Sequence, residues 1–263
     1  MRRALAATIA LAALASTASA YVRSRTAKGV PVAWSGPCAQ VTPDSAGTPD
    51  MPFDQVVNVV HQSLNNWASA VGAEGYLQLA YETPMPMEAH LDGINTIKFR
   101  TDKWCHPNDA QQNNICYSAQ AAGITTVFYV QDGSAHAGTI LDADIELNDI
   151  NFTFAILPTT ATADPNRPFA DLENTLTHEL GHLQGLDHTC NGATPPQETD
   201  ENGNPPPICN YATNSPEIKA TTMYATAQPG ETSKRMPKAD DVAGIVNAYP
   251  AANAPSSMCE PTD

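Results

Sequence analysis

The chain has 263 residues, 42% of them hydrophobic, and carries 28 acidic against 13 basic side chains for a formal charge of −15. So acidic a chain argues against nucleic acid as a partner, because the phosphates would be repelled. Past the first twenty residues no apolar run approaches the length that spans a bilayer, so no membrane-embedded segment is expected in the mature protein.

In chain order, Met1-Arg2-Arg3, the apolar run Ala4 to Ala15 and the small residues Ala18-Ser19-Ala20 read as a secretory signal cleaved after Ala20. Residue 21 is Tyr, not the Cys of a bacterial lipid anchor, so the expected location is extracellular or periplasmic. Residues 21–263 suffice for one sizeable core and read as a single domain. Val30 to Trp34 is β-like. From Met51 to Gly72 the apolar positions Phe53, Val56, Val57, Val60, Leu64, Trp67, Ala68 and Val71 recur at helical spacing, with Asp50 as the expected cap and Gly72 as the end. His61 lies off this stripe and reads as a solvated side chain. Further β-like runs follow at Tyr76 to Tyr81, Thr96 to Arg100, Ile124 to Val130 and Thr139 to Leu147. In the last, Asp142, Asp144 and Glu146 share one face, for which a solvated strand face is the first reading and a Ca2+ site the second.

A second helix is expected from Asp171 to Leu183, stopped by Gly185, and a last one from Pro237 to Tyr249. Between them, Asn191 to Pro216 is rich in Pro, Asn, Gly and Thr and reads as an irregular excursion. Six cysteines in an exported chain imply disulfides, and of the 15 possible connectivities loop closure favours near neighbours. The expected pairs are Cys105–Cys116, Cys190–Cys209 and, by what remains, Cys38–Cys259. No CxxC pair is present, so a cysteine zinc site is not expected.

The segment His178 to His188 reads HELGHLQGLDH and carries the chemistry. Four apart on a helix, His178 and His182 lie on one face, so both imidazoles reach one metal. Gly185 gives the backbone the freedom to turn, and His188 comes round as a third ligand. Three neutral imidazoles leave Zn2+ an open position, as in catalytic sites. Glu179, beside the first ligand, is placed to act as the general base toward the attacking water.

With its downstream Met223, this pattern resembles the metzincin zinc proteases, whose signature HExxHxxGxxH is followed by a methionine turn. Thr189, the pair Met223-Tyr224 and the run DDVAGIVNAY from Asp240 to Tyr249 look like the matrixin branch. The resemblance implies an α+β fold: a twisted five-stranded, mostly parallel sheet with two helices, one bearing the site, then a small C-terminal subdomain with the Met-turn and a final helix. The subdomains would be 21–185 and 186–263. It also implies a protein or peptide substrate held extended along an edge strand near Ala122 to Val130. The chain departs from the family in three ways. Residues 189–222 are longer than the matrixin connection, with an insertion at 190–216; no cysteine-switch segment precedes the domain; and His136 alone lies where a structural zinc site would need several histidines. The position of an astacin-type tyrosine ligand is Ala225, so Tyr224 is not expected to bind metal.

These features lead to the expectation of a secreted zinc endopeptidase. Two other functions compete: a catalytically silent zinc-binding recognition module, and a zinc hydrolase of short peptides or non-peptide amides.

Overall fold

The computed structural model describes residues 21–107, 115–162, 164–192, 199–256 and 259. The expected signal segment, 1–20, and part of the 190–216 insertion lie outside them. Five strands form the central sheet: β1 (Cys38–Pro43), β2 (Gln78–Tyr81), β3 (Thr96–Arg100), β4 (Gly123–Tyr129) and β5 (Ile140–Asn148). Their order is β2-β1-β3-β5-β4, all parallel except β4, which runs antiparallel to β5 at one edge. The longer helices are α1 (Phe53–Val71), α2 (Leu172–Leu183) and α3 (Ala239–Ala248). The chain is thus a mixed α/β fold with a five-stranded, mostly parallel sheet.

Parallel β1 and β2 cannot be joined by a tight turn, and α1 makes the crossover between them. Its apolar stripe, Val56, Val60, Leu64, Trp67 and Val71, is buried with Ile97 and Phe99 of β3 and Ala143, Ile145 and Leu147 of β5. The four leucines of α2, at 172, 176, 180 and 183, are fully buried in the same core. One polar contact ties the two helices inside that core: the Trp67 indole N–H donates to the Thr177 carbonyl at 2.8 Å. Trp34 and Trp104 are also anchors, donating to the carbonyls of Leu183 and Ser118.

Several sequence expectations need correction. Val30 to Trp34 forms no strand; only isolated bridges at Pro31 and Ala33 occur, because Pro31 has no N–H to continue a ladder. The strand of this region is Cys38–Pro43, whose polar Gln40 and Thr42 hid it from a reading by apolar pattern. Asp50 does not cap α1, where Pro52 holds the cap position without a side-chain bond. Its carboxylate instead accepts from Phe154 N and from Arg167, each at 2.9 Å.

The acidic face of β5 is not solvated. Asp142, Asp144 and Glu146 are completely buried, and neighbouring segments supply part of the hydrogen bonding that water would have given, leaving Asp142 Oδ1 and Asp144 Oδ2 without a partner among the described residues. Asp142 accepts from the main-chain N–H groups of Asp92 and Gly93, both at 2.8 Å, and Asp144 from Thr96 N at 2.8 Å. Glu146 meets Arg100 Nε at 2.5 Å, His106 Nδ1 at 2.7 Å and the Tyr117 hydroxyl at 3.0 Å. His106, unassigned from sequence, is therefore a buried partner. Among the described residues, the His, Cys, Asp and Glu cluster whose ligand atoms lie close enough to share an ion is a histidine triad and does not include these three carboxylates.

The three disulfides join Cys38–Cys259, Cys105–Cys116 and Cys190–Cys209. Among the described residues no helix is long and apolar enough to cross a membrane. The three disulfides fit a secreted protein.

Burial has opposite outcomes along β5. It raises the Asp144 carboxyl from 3.8 to about 8. For Glu146 the bonds from His106 and Arg100 outweigh burial and hold the carboxyl below its usual range. Between those two values for Asp144, the folded chain keeps a proton that the unfolded chain releases, so stability falls as pH rises through the window. Asn at this position keeps an acceptor for Thr96 N–H and cannot ionise. Between about pH 5 and about pH 9, Asp144→Asn is expected to gain on wild type by on the order of a few kcal/mol, read from urea midpoints. A stability difference that does not change with pH would rule this out.

Candidate metal centre

The site is built on α2. Asp171 caps that helix through a bond from Asn174 N at 2.8 Å, and its carboxylate also binds the Arg235 guanidinium. With the leucines facing the core, His178 and His182 emerge on the opposite side, one turn apart. After Leu183 the chain must reverse at once. Gly185 does this with φ of 91°, and a Cβ there would also stand 2.5 Å from the Val32 carbonyl. Leu186–Asp187 then pairs with Val22–Arg23, and the Asp187 carboxylate accepts the His188 N–H at 2.6 Å.

The three imidazoles converge. Nε2 of His188 lies 3.2 Å from Nε2 of His178 and 3.1 Å from Nε2 of His182. The opposite ring nitrogens settle which atoms are free. His178 Nδ1 meets the Thr222 carbonyl at 2.7 Å and His182 Nδ1 meets the Leu186 carbonyl at 2.9 Å. A carbonyl only accepts, so each Nδ1 carries the proton and each Nε2 of the neutral ring presents a lone pair. Burial, helped for His178 by the charges of Lys234, His182 and His188, holds the His178 and His188 pKa values well below the ordinary histidine range. Neutral nitrogens pointing lone pairs at one another repel unless a cation lies between them, so His178, His182 and His188 fit a bound metal ion.

Met223 packs against α2, 1% exposed, its sulfur so close to Gly181 that a Cβ on that glycine would overlap it. The turn that holds it is fixed from α3. The buried carboxylate of Asp241 accepts from Thr222 N at 2.8 Å, Met223 N at 3.0 Å and Lys238 N at 2.8 Å. Thr222 in turn presents its carbonyl to His178, so Asp241 positions a ligand through one residue. In the sequence Asp241 stands out only as part of the run from Asp240 to Tyr249. Tyr224 turns away and donates to Asn214 Oδ1 at 2.8 Å.

Glu179 sits between the triad and the edge strand β4. Its Oε2 accepts from the Thr125 hydroxyl at 2.7 Å, with the Glu179 carbonyl as a second acceptor at 3.1 Å. The carboxylate also lies against Gly123, where a Cβ would come within 2.6 Å of Oε1. Burial raises the Glu179 pKa, opposed by the charge of His182, the Thr125 bond and the charge of Lys234. Neither Gly123 nor Thr125 stood out from sequence, since a glycine and a threonine in a strand carry no signal of what faces them. A cleft of about 680 Å³ runs past His178, Glu179 and His188, bounded by β4 on one side and residues 225–231 on the other.

A single equivalent of a divalent transition metal is expected to raise the thermal midpoint of the mature protein, by mass action. His182→Ala is expected to weaken that binding at least about a hundredfold in competition with a coloured chelator, whereas His136→Ala leaves it unchanged. Equal affinities for wild type and His182→Ala would remove the triad as the site. No protein-family model matches the chain, and no curated protein matches it in sequence.

Proposed function

We propose that this chain is a secreted zinc-dependent endopeptidase of the metzincin group, close to its matrixin branch. The observation that carries the reading is the pairing of a convergent His178–His182–His188 triad with a carboxylate, Glu179, on the same helix and in an open cleft. Around zinc, with Zn–N distances of about 2.0–2.1 Å, tetrahedral imidazole nitrogens stand roughly 3.3 Å apart. The separations of 3.1 and 3.2 Å fit that size. An all-nitrogen donor set also suits zinc better than calcium or magnesium, which prefer oxygen.

Zinc held there would supply Lewis acidity to water and to the scissile carbonyl. The rest of the chemistry belongs to the chain. Glu179 accepts the proton of the attacking water and delivers it to the departing amine, and its raised pKa suits both halves of that transfer. Thr125 holds the carboxylate in place, so it is a positioning residue. An extended peptide adds to the outer edge of β4, which has β5 on one side only. Such pairing uses main-chain hydrogen bonds and tolerates many side chains.

Mature protein is expected to cleave unfolded casein, and both chelation and Glu179→Ala are expected to lower the rate at least about a hundredfold. Zinc bound without any cleavage by wild type would sink the peptidase reading. Thr125→Val is expected to lower kcat about tenfold with zinc affinity unchanged, and Thr125→Ser to restore it. If Val and Ser behave alike, Thr125 does not position the base.

A further inference from the structure

The proposed hydrolysis leaves one charged side chain of the cleft without a task. Lys234 is 3% exposed and lines the same cleft as His178, Glu179 and Asn174. Its backbone is fixed, because its N–H donates to Asn174 Oδ1 at 2.8 Å and the next residue, Arg235, is bound to Asp171. An ammonium has three protons to donate. Among the described residues Lys234 Nζ has a single hydrogen-bond acceptor, the Tyr224 carbonyl, and no carboxylate at ion-pairing distance.

The three acids whose charge reaches it are engaged elsewhere. Glu179 is held by Thr125, Glu231 accepts from Gln228 N and Ser233 Oγ, and Asp241 accepts three main-chain N–H groups. Burial lowers the Lys234 pKa to about 8, as expected of a cation short of solvation. The other basic group of the cleft, Arg25, is already paired with Glu201 at 3.0 Å. A buried cation with donors to spare is costly, and an anion entering from the cleft would relieve that cost.

Resting on the peptidase reading, we propose that Lys234 determines specificity by selecting substrates with an acidic side chain next to the scissile bond. The long-range field opposes such a choice, since the chain carries −15 overall. The preference therefore arises at contact, and salt, which screens the distant repulsion, leaves a buried pair largely untouched.

The test uses two pairs of fluorogenic peptides, each pair alike except for Glu or Gln on one side of the scissile bond. With mature wild-type protein, Glu on one of the two sides is expected to raise kcat/KM about tenfold or more over Gln, and the ratio is expected to hold in high salt. In Lys234→Met the ratio is expected to fall to about one while the Gln peptide is still cut. A second readout needs no turnover: fluorescence anisotropy of the same peptides on Glu179→Ala protein is expected to show the same preference. Equal cutting of Glu and Gln peptides by wild type overturns the proposal and leaves the peptidase reading intact. If no peptide is cut, the peptidase reading falls, and the anisotropy comparison decides the acid preference by itself. The wild-type ratio is decisive even if Lys234→Met does not fold.

Discussion

Three crowded imidazole nitrogens, with Nε2 of His188 3.2 Å from that of His178 and 3.1 Å from that of His182 and with the His178 and His182 lone pairs directed inward, form an arrangement that repels itself. It persists only if the rings cannot turn away. Two of them are pinned from behind by main-chain carbonyls, Thr222 for His178 and Leu186 for His182. Those carbonyls belong to segments that need fastening of their own. Leu186 is held by its ladder with Arg23, and Thr222 by the carboxylate of Asp241 on the last helix. The requirement to aim three rings at one point thus reaches the chain's start, its sheet-packed helix α2 and its C-terminal helix. Such outer support is what keeps ligands in place when the ion is exchanged or lost.

One of these fasteners, Asp241, is a buried acid, and others like it elsewhere change the meaning of the chain's composition. A charge of −15 reads at first as a soluble, self-repelling surface. Yet Asp142, Asp144, Glu146, Asp171 and Asp241 are buried, and each binds main-chain N–H groups, a basic partner or both. Short acidic side chains do this well because one carboxylate satisfies several donors that would otherwise be stranded. Burial of this kind is conditional on the protonation state, and the opposite fates of Asp144 and Glu146 show how partners decide it. A neighbouring cation keeps Glu146 ionised, whereas Asp144 has main-chain dipoles and two acidic neighbours on its strand.

The cleft joins two kinds of surface with different demands. On the β4 side, Gly123 and Thr125 leave room for the Glu179 carboxylate and orient it, so small side chains there follow from the approach of α2. On the other side, residues 225–231 and Lys234 come from the segment between the methionine and α3, anchored by Asn174 and Asp171 of the site helix. Both walls therefore take their position from α2, and a shift of that helix would move base, ligands and walls together.

The periodic parts of the chain were legible without coordinates. The stripes of α1 and α2, the strand from Thr96 to Arg100, the disulfide partners and the His178–His188 spacing all depend on residues near in sequence or on loop length. Helical repeat and glycine at a turn are local physics, so four- and six-residue spacings already placed three imidazoles in reach of one point. Tertiary structure alone decided the rest. It buried the acids of β5 that alternation had marked as solvated, took Asp50 from the helix cap to Arg167, and turned Cys38–Pro43 into a central strand despite its polar residues. It also brought Thr125, Lys234 and Asp241 to the site from distant positions. The reason is that a carboxylate, a hydroxyl or an ammonium prefers water and goes inside only where the fold supplies partners in its place. Its place depends on which partners the folded chain brings to it, and those partners lie dozens of residues away.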